Sequence, residues 1–140
     1  MLLKKLLTHN VPEITVNSLS KIKDSVLLLD AREPEEFAVS HLNNAKFVGY
    51  KNFSLDSITN IDKHSEIVVY CAVGYRSEKI TQKLIAAGFT HVKNLYGGIF
   101  EWKNKKLDVF DANGVTNNVH PYSKTWGLWL KNADKVYKKP

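Results

Sequence analysis

Cys71 is the only cysteine among the 140 residues, and its neighbours set the chemistry open to it. It ends the apolar run Ile67-Val68-Val69-Tyr70 and is followed by Ala72-Val73-Gly74-Tyr75-Arg76-Ser77, after which a helical pattern begins. Ligands of open α/β sheets bind at the carboxyl ends of strands. A loop entering a helix there can turn several backbone N–H groups inward, and Gly74 permits a close or left-handed turn. Loop amides, the helix dipole and the charge of Arg76 all favour a thiolate, which is a nucleophile at neutral pH. A lone cysteine in an arbitrary sequence is more often an inert core residue. Here the loop composition and the helix that follows favour the reactive reading. With no second cysteine, an intrachain disulfide and a zinc site of several thiolates are both excluded. Whatever Cys71 does, it does without a second cysteine. No metal or cofactor is expected.

A nucleophile placed this way needs a sheet behind it. Short apolar runs alternate with helical patterns and turn residues, as in a parallel α/β sheet. Five strands are expected: Ile14-Thr15-Val16, Val26 to Asp30, Ala45 to Val48, Ile67 to Tyr70 and Val92 to Leu95. The second and fourth are almost continuously apolar and suit central positions, whereas the more polar first and third suit the edges. Asn17 is expected to cap a turn carrying Leu19 and Ile22. Pro34 is expected to open a helix in which Glu33, Glu35 and Glu36 meet the positive end of the dipole. The clearest helix is expected from about Ser77 to Ala87, with Ile80, Leu84, Ile85 and Ala87 on one face and Gly88 as a left-handed stop.

A mass of 15.9 kDa with 44% hydrophobic and 24% charged residues suits one domain and leaves no room for two. No apolar run approaches the roughly 20 residues that span a bilayer, and Met1 to Leu7 is too short for a signal-peptide core. A cytoplasmic protein with no membrane partner is the expectation. The net charge of +6 is uneven: 8 of the 20 basic and 3 of the 14 acidic residues follow Trp102, so residues 103–140 carry +5 and the rest +1. No nucleic-acid motif accompanies these lysines, which read as a solvated face. Beyond Lys103-Asn104-Lys105-Lys106 and a turn at Asp111–Gly114 come Trp126, Trp129, Leu130, Ala133, Val136 and Tyr137. Their spacing predicts an amphipathic helix of about three turns packed on the domain.

The stretch Asp30-Ala31-Arg32-Glu33-Pro34-Glu35-Glu36-Phe37 is followed by Ser40-His41-Leu42 before Asn43-Asn44-Ala45. Then come Tyr70-Cys71-Ala72-Val73-Gly74-Tyr75-Arg76-Ser77 and Leu95-Tyr96-Gly97-Gly98 with Trp102. In this order they resemble a single-domain rhodanese over residues 12–103, with residues 104–140 a C-terminal extension outside the common domain. The resemblance implies an α/β fold with a five-stranded parallel sheet flanked by helices on both faces. It also implies a sulfurtransferase, in which the cysteine takes a sulfane sulfur from a donor such as thiosulfate and passes it to cyanide, a thiol or a protein acceptor. Cys71 matches the persulfide-forming cysteine, and Ala72, Val73, Gly74, Tyr75 and Arg76, with Ser77 following, match the active loop. Asp30 and Arg32 match a largely structural pair, and His41 a position concerned with the fold. Arg32 is accordingly expected to pair with an acidic neighbour and His41 to satisfy a backbone group. Arg76 is expected to draw an anionic donor to the loop mouth, with Val73 and Tyr75 shaping its approach. Ser40-His41-Leu42-Asn43-Asn44-Ala45 departs from the common Gly-His-Ile-Pro-Gly-Ala, which loosens that turn without touching the cysteine.

Two other readings stand beside this one. A cysteine phosphatase or arsenate reductase resembles Cys-x5-Arg, yet Arg76 lies five positions after Cys71 and Ser77 occupies the place arginine should hold. The shorter loop suits one sulfur atom better than a phosphoryl group. A binding module is the other alternative, although silent relatives commonly replace the cysteine retained here.

Overall fold

Five parallel strands carry the molecule: β1 (Glu13–Ile14), β2 (Leu27–Asp30), β3 (Lys46–Phe47), β4 (Ile67–Tyr70) and β5 (Val92–Leu95). Their order is β1-β5-β4-β2-β3, so the apolar β4 is central and the two-residue β1 and β3 form the edges. The structure, a computed structural model, describes residues 6–137; most of the Met1–Leu7 stretch therefore lies outside the described residues.

Helices α1 (Val16–Ile22), α2 (Pro34–Val39), α3 (Tyr75–Ala86) and α4 (Gly98–Asn104) connect or flank the strands. Alternation along β2 and β4 divides the core into two layers. Leu28, Val68 and Tyr70 pack with Leu19 of α1 and with Ile99, Phe100 and Trp102 of α4. Leu29, Ile67 and Val69 pack with Ile80 and Leu84 of α3. Helices thus cover both faces of the sheet. In β4, all four residues are buried, and its register sets Tyr70 beside Asp30 of β2.

Several local expectations are corrected. Thr15, not Asn17, caps α1: its side chain accepts the Ser18 N–H, and the first strand stops at Ile14. The helix expected from Ser77 begins at Tyr75, because Gly74 at φ 110° makes the turn in one residue, so Tyr75 and Arg76 belong to its first turn. Gly88, at φ 98°, follows its end as expected.

The extension holds the largest correction. It contains a hairpin of β6 (Val109–Asp111) and β7 (Gly114–Thr116), then β8 (Asn118–Val119), α5 (Lys124–Gly127) and β9 (Asp134–Lys135), which pairs parallel with β8. The three-turn helix expected over Trp126–Tyr137 is replaced by one turn and a strand. Asn104 explains part of the change, since its Oδ1 accepts from Lys131 and Asn132 N–H while its Nδ2 donates to Trp129 O. The backbone finds partners without a helix, while Leu130 still buries in the same layer as Val68.

Candidate active site

The end of β4 delivers Cys71 wholly buried, and backbone from two directions shapes what faces its sulfur. Gly74 N–H donates to Sγ at 3.1 Å, and Ser77 Oγ lies 3.3 Å from Sγ. From behind, the first turn of α4 captures the loop carbonyls: Ile99 N–H donates to Cys71 O (2.9 Å) and Phe100 N–H to Ala72 O (3.1 Å). That approach requires Gly98, where a Cβ would stand 2.4 Å from both Cys71 O and Ala72 O.

Arg76 occupies a different place from the one expected. Its Nη1 and Nη2 donate to Glu36 Oε2 (2.6 Å) and Oε1 (2.8 Å), with both side chains almost fully buried. Glu36 Oε2 also accepts Glu33 N–H, so this carboxylate caps α2 and grips the loop together. Burial alone would raise the Glu36 carboxyl, but hydrogen bonds and charge from Arg76 outweigh it and hold the group below its ordinary value. Arg76 is pulled down by burial and, more strongly, up by Glu36 and Cys71. Its outer face is covered by the extension: the Tyr122 ring centre lies 4.2 Å and that of Trp126 6.0 Å from the guanidinium carbon. Arg76 is therefore paired and roofed, rather than free at a loop mouth.

Asp30 and Arg32 form the expected pair. Arg32 Nε and Nη2 reach the Asp30 carboxylate at 2.9 and 2.7 Å, and Nη2 also donates to Ser40 O at 2.6 Å. Burial lowers the Arg32 pKa, and Asp30 reverses the sign, leaving it raised. Burial and Asp30 likewise keep the Tyr70 phenol well above its ordinary range. His41 stacks on Phe37 at 4.1 Å, its Nδ1 lies 3.1 Å from Phe37 O, and its backbone pairs with Phe110. Asp30, Arg32 and His41 thus hold strand ends and turns in place. Val73 is buried and Tyr75 half-buried at the start of α3.

Three residues escaped the sequence reading. Asn94 is wholly buried on β5; Nδ2 donates to Gly74 O (3.0 Å) and Oδ1 accepts from Ser77 Oγ (2.6 Å). Its signal is an amide between the exposed Lys93 and the buried Leu95, on the strand face opposite Lys93, where burial demands a partner. Glu36 read only as a dipole partner, although its spacing from Glu33 marks a capping box. Gly98 was visible only as the second member of a Gly-Gly pair. Among the described residues, no three of His, Cys, Asp and Glu cluster as a metal site would require.

Comparison with known proteins adds a family. The model for the rhodanese-like domain matches residues 15–105. Thiosulfate sulfurtransferase 16, chloroplastic, of Arabidopsis thaliana is 37% identical over 90 residues, covering 56% of this chain and 75% of that protein. The tRNA uridine(34) hydroxylase of Wigglesworthia glossinidia brevipalpis is 31% identical over 134 residues, 91% of this chain and 39% of that protein. A crystal structure of the BH2092 protein from Bacillus halodurans superposes with a TM-score of 0.67 at 24% identity, covering 81% of this chain and 83% of that one. The last likeness concerns the fold alone. This chain spans between 24% and 50% of the length of several curated relatives.

Proposed function

The chain belongs to the rhodanese-like domain family, which includes sulfurtransferases, and from that premise we propose that Cys71 carries sulfane sulfur from thiosulfate to cyanide or a thiol. The observation that carries the reading is the sulfur itself, set at the end of β4 between the Gly74 N–H and the Ser77 hydroxyl. Cys71 thiolate attacks the outer sulfur of thiosulfate, an S–S bond forms, and sulfite leaves with the electron pair. Cyanide then attacks the outer sulfur of the persulfide, giving thiocyanate and regenerating the thiolate. Charge balances in both steps. The N–H of Gly74 faces negative charge on sulfur throughout, and the short loop suits a single sulfur.

Arg76 enters this cycle as part of the wall. Paired with Glu36, it fixes the start of α3 and contributes its charge at close range. The donor therefore meets no free guanidinium at the sulfur.

Intact mass separates the alternatives. After thiosulfate the protein gains one sulfur, cyanide removes it, and Cys71→Ser shows neither change while keeping its melting temperature. No adduct, with hydrolysis of an aryl phosphate that depends on Cys71, would instead establish the phosphatase reading. A protein inert in both assays is a binding module.

A second reading draws on the relative that matches 134 residues, extension included. In it the same sulfur site serves a larger assembly that modifies a tRNA uridine. Anisotropy titration with a tRNA transcript tests it: saturable binding supports it, and binding no tighter than to an unrelated RNA removes it.

A further inference from the structure

We propose that Asn94 is a positioning residue that decides which way the Ser77 hydroxyl proton points, toward Asn94 while Cys71 is a thiol and toward Sγ when the sulfur is charged. This rests on the reading of Cys71 as the reacting sulfur and names a group outside the loop that acts on it.

The argument begins with the amide. Its Nδ2 donates to Gly74 O at 3.0 Å, which fixes the orientation of the side chain and turns Oδ1 to Ser77. A serine hydroxyl has one proton. Two acceptors compete for it: Asn94 Oδ1 at 2.6 Å and Cys71 Sγ at 3.3 Å. The shorter contact takes the proton, so the Ser77 lone pairs face Sγ and accept from the S–H of a thiol. When the sulfur becomes anionic that donor is gone, and rotation about the Ser77 Cβ–Oγ bond brings the O–H to the sulfur. Asn94 loses one acceptor contact while its Nδ2 keeps Gly74 O in place. The Gly74 N–H, on the residue so pinned, stays 3.1 Å from Sγ. One side chain thereby holds the turn still while letting the hydroxyl switch. Ser77 and Asn94 are wholly buried, which limits competition from solvent for the switching proton.

The charged groups around it are Arg76, whose charge acts directly on Cys71, its partner Glu36, and the Asp30–Arg32 pair at the end of the neighbouring strand. None changes in the test below.

The test uses iodoacetamide, a small neutral alkylating agent that needs no donor site, with alkylation rate followed against pH. Asn94→Leu keeps the size but removes both ends of the amide. The Ser77 proton is then free for sulfur, and the profile should move to lower pH, with at least a threefold higher rate on its acid limb. In a Ser77→Ala background, the same Asn94→Leu change acts only through the released Gly74 turn, and the profile should move by clearly less. An unmoved profile for Asn94→Leu, or an equal movement with and without Ser77, overturns the proposal. A merely structural role would lower the melting temperature of Asn94→Leu without this dependence on Ser77. Should the variant fail to fold, the wild type provides the second measurement. Side-chain amide resonances of Asn94 should shift through the pH range of the alkylation transition in wild type and stay fixed in Ser77→Ala. Resonances that ignore the transition overturn it. Sulfur transfer failing while these shifts persist would remove the persulfide reading and leave the Asn94 switch standing.

Discussion

The sheet domain and the C-terminal extension both hold Arg76, and they do so by different means. From α2, Glu36 takes the guanidinium through hydrogen bonds of 2.6 and 2.8 Å between groups almost without solvent exposure. From the extension, Tyr122, itself 41% exposed, lays a ring over the opposite face. One contact is directional and buried, the other broad and near water. The extension is also built differently, from strands of two or three residues and a single helical turn anchored by Leu130, Val109 and Val119. Site geometry therefore belongs to the sheet, whereas the extension contributes burial and a roof.

The hardest test of that division is to remove the extension by ending the chain after Lys106. Val109, Val119 and Leu130 are each at most 1% exposed, and burying such side chains stabilises by about 1.5–3 kcal/mol each. Releasing the backbone returns part of this as entropy. The truncated protein should melt about 10 °C lower or more. A melting temperature equal to that of the full chain would mean that the extension is only docked.

Next in size is Glu36→Gln, which leaves Arg76 buried and unpaired at a cost of about 3 kcal/mol. The pH dependence has a definite sign. Glu36 is held below its ordinary value of 4.5, so its stabilisation is fully present above that pH and fades as the pH falls through the lower folded value. Melting curves from pH 7 to pH 3 should show the wild type losing part of its advantage over Glu36→Gln in that acid window. Parallel curves would show that the pair adds nothing to acid stability.

These residues also mark how far the sequence could be read. Cys71, Gly74 and the five strands were legible because their signals are local: an apolar run, a turn residue, a helical period. The order of central and edge strands followed from polarity for the same reason. Glu36 and Arg76 lie 40 positions apart and Asn94 lies 20 from Gly74, so nothing local announces either contact. The extension misled through a true signal. Its apolar spacing does bury Leu130, but Gly127, Asn132 and Asp134 weaken a helix, and the Asn104 side chain offers the backbone another set of partners. Burial was legible there; secondary structure was not.

The smallest expected effect concerns how the roof is held. Tyr122 adopts φ 65°, a left-handed conformation that is strained for a non-glycine residue, and its N–H donates to His120 Nδ1 at 2.9 Å. That nitrogen must be unprotonated to accept. Partial burial lowers the His120 pKa, and of the nearby charges Glu36 and Glu35 oppose the shift while Arg32 and Arg76 support it; the Tyr137 ring packs against the imidazole. A histidine lowered in the folded state is fully stabilising above its ordinary value of 6.5, and that contribution fades as the pH falls below it. Protonation ends the contact with Tyr122 N–H and releases the strained turn, a loss of about 1 kcal/mol at most. Tryptophan fluorescence, which reports Trp126 and Trp129 along with Trp102, should therefore change reversibly as the pH falls below 6.5, with no change in far-ultraviolet circular dichroism. His120→Asn places a non-titrating acceptor near the same N–H, so its fluorescence should be flat over this range. A transition that survives in His120→Asn would assign the pH response elsewhere and leave the extension as a fixed roof over Arg76.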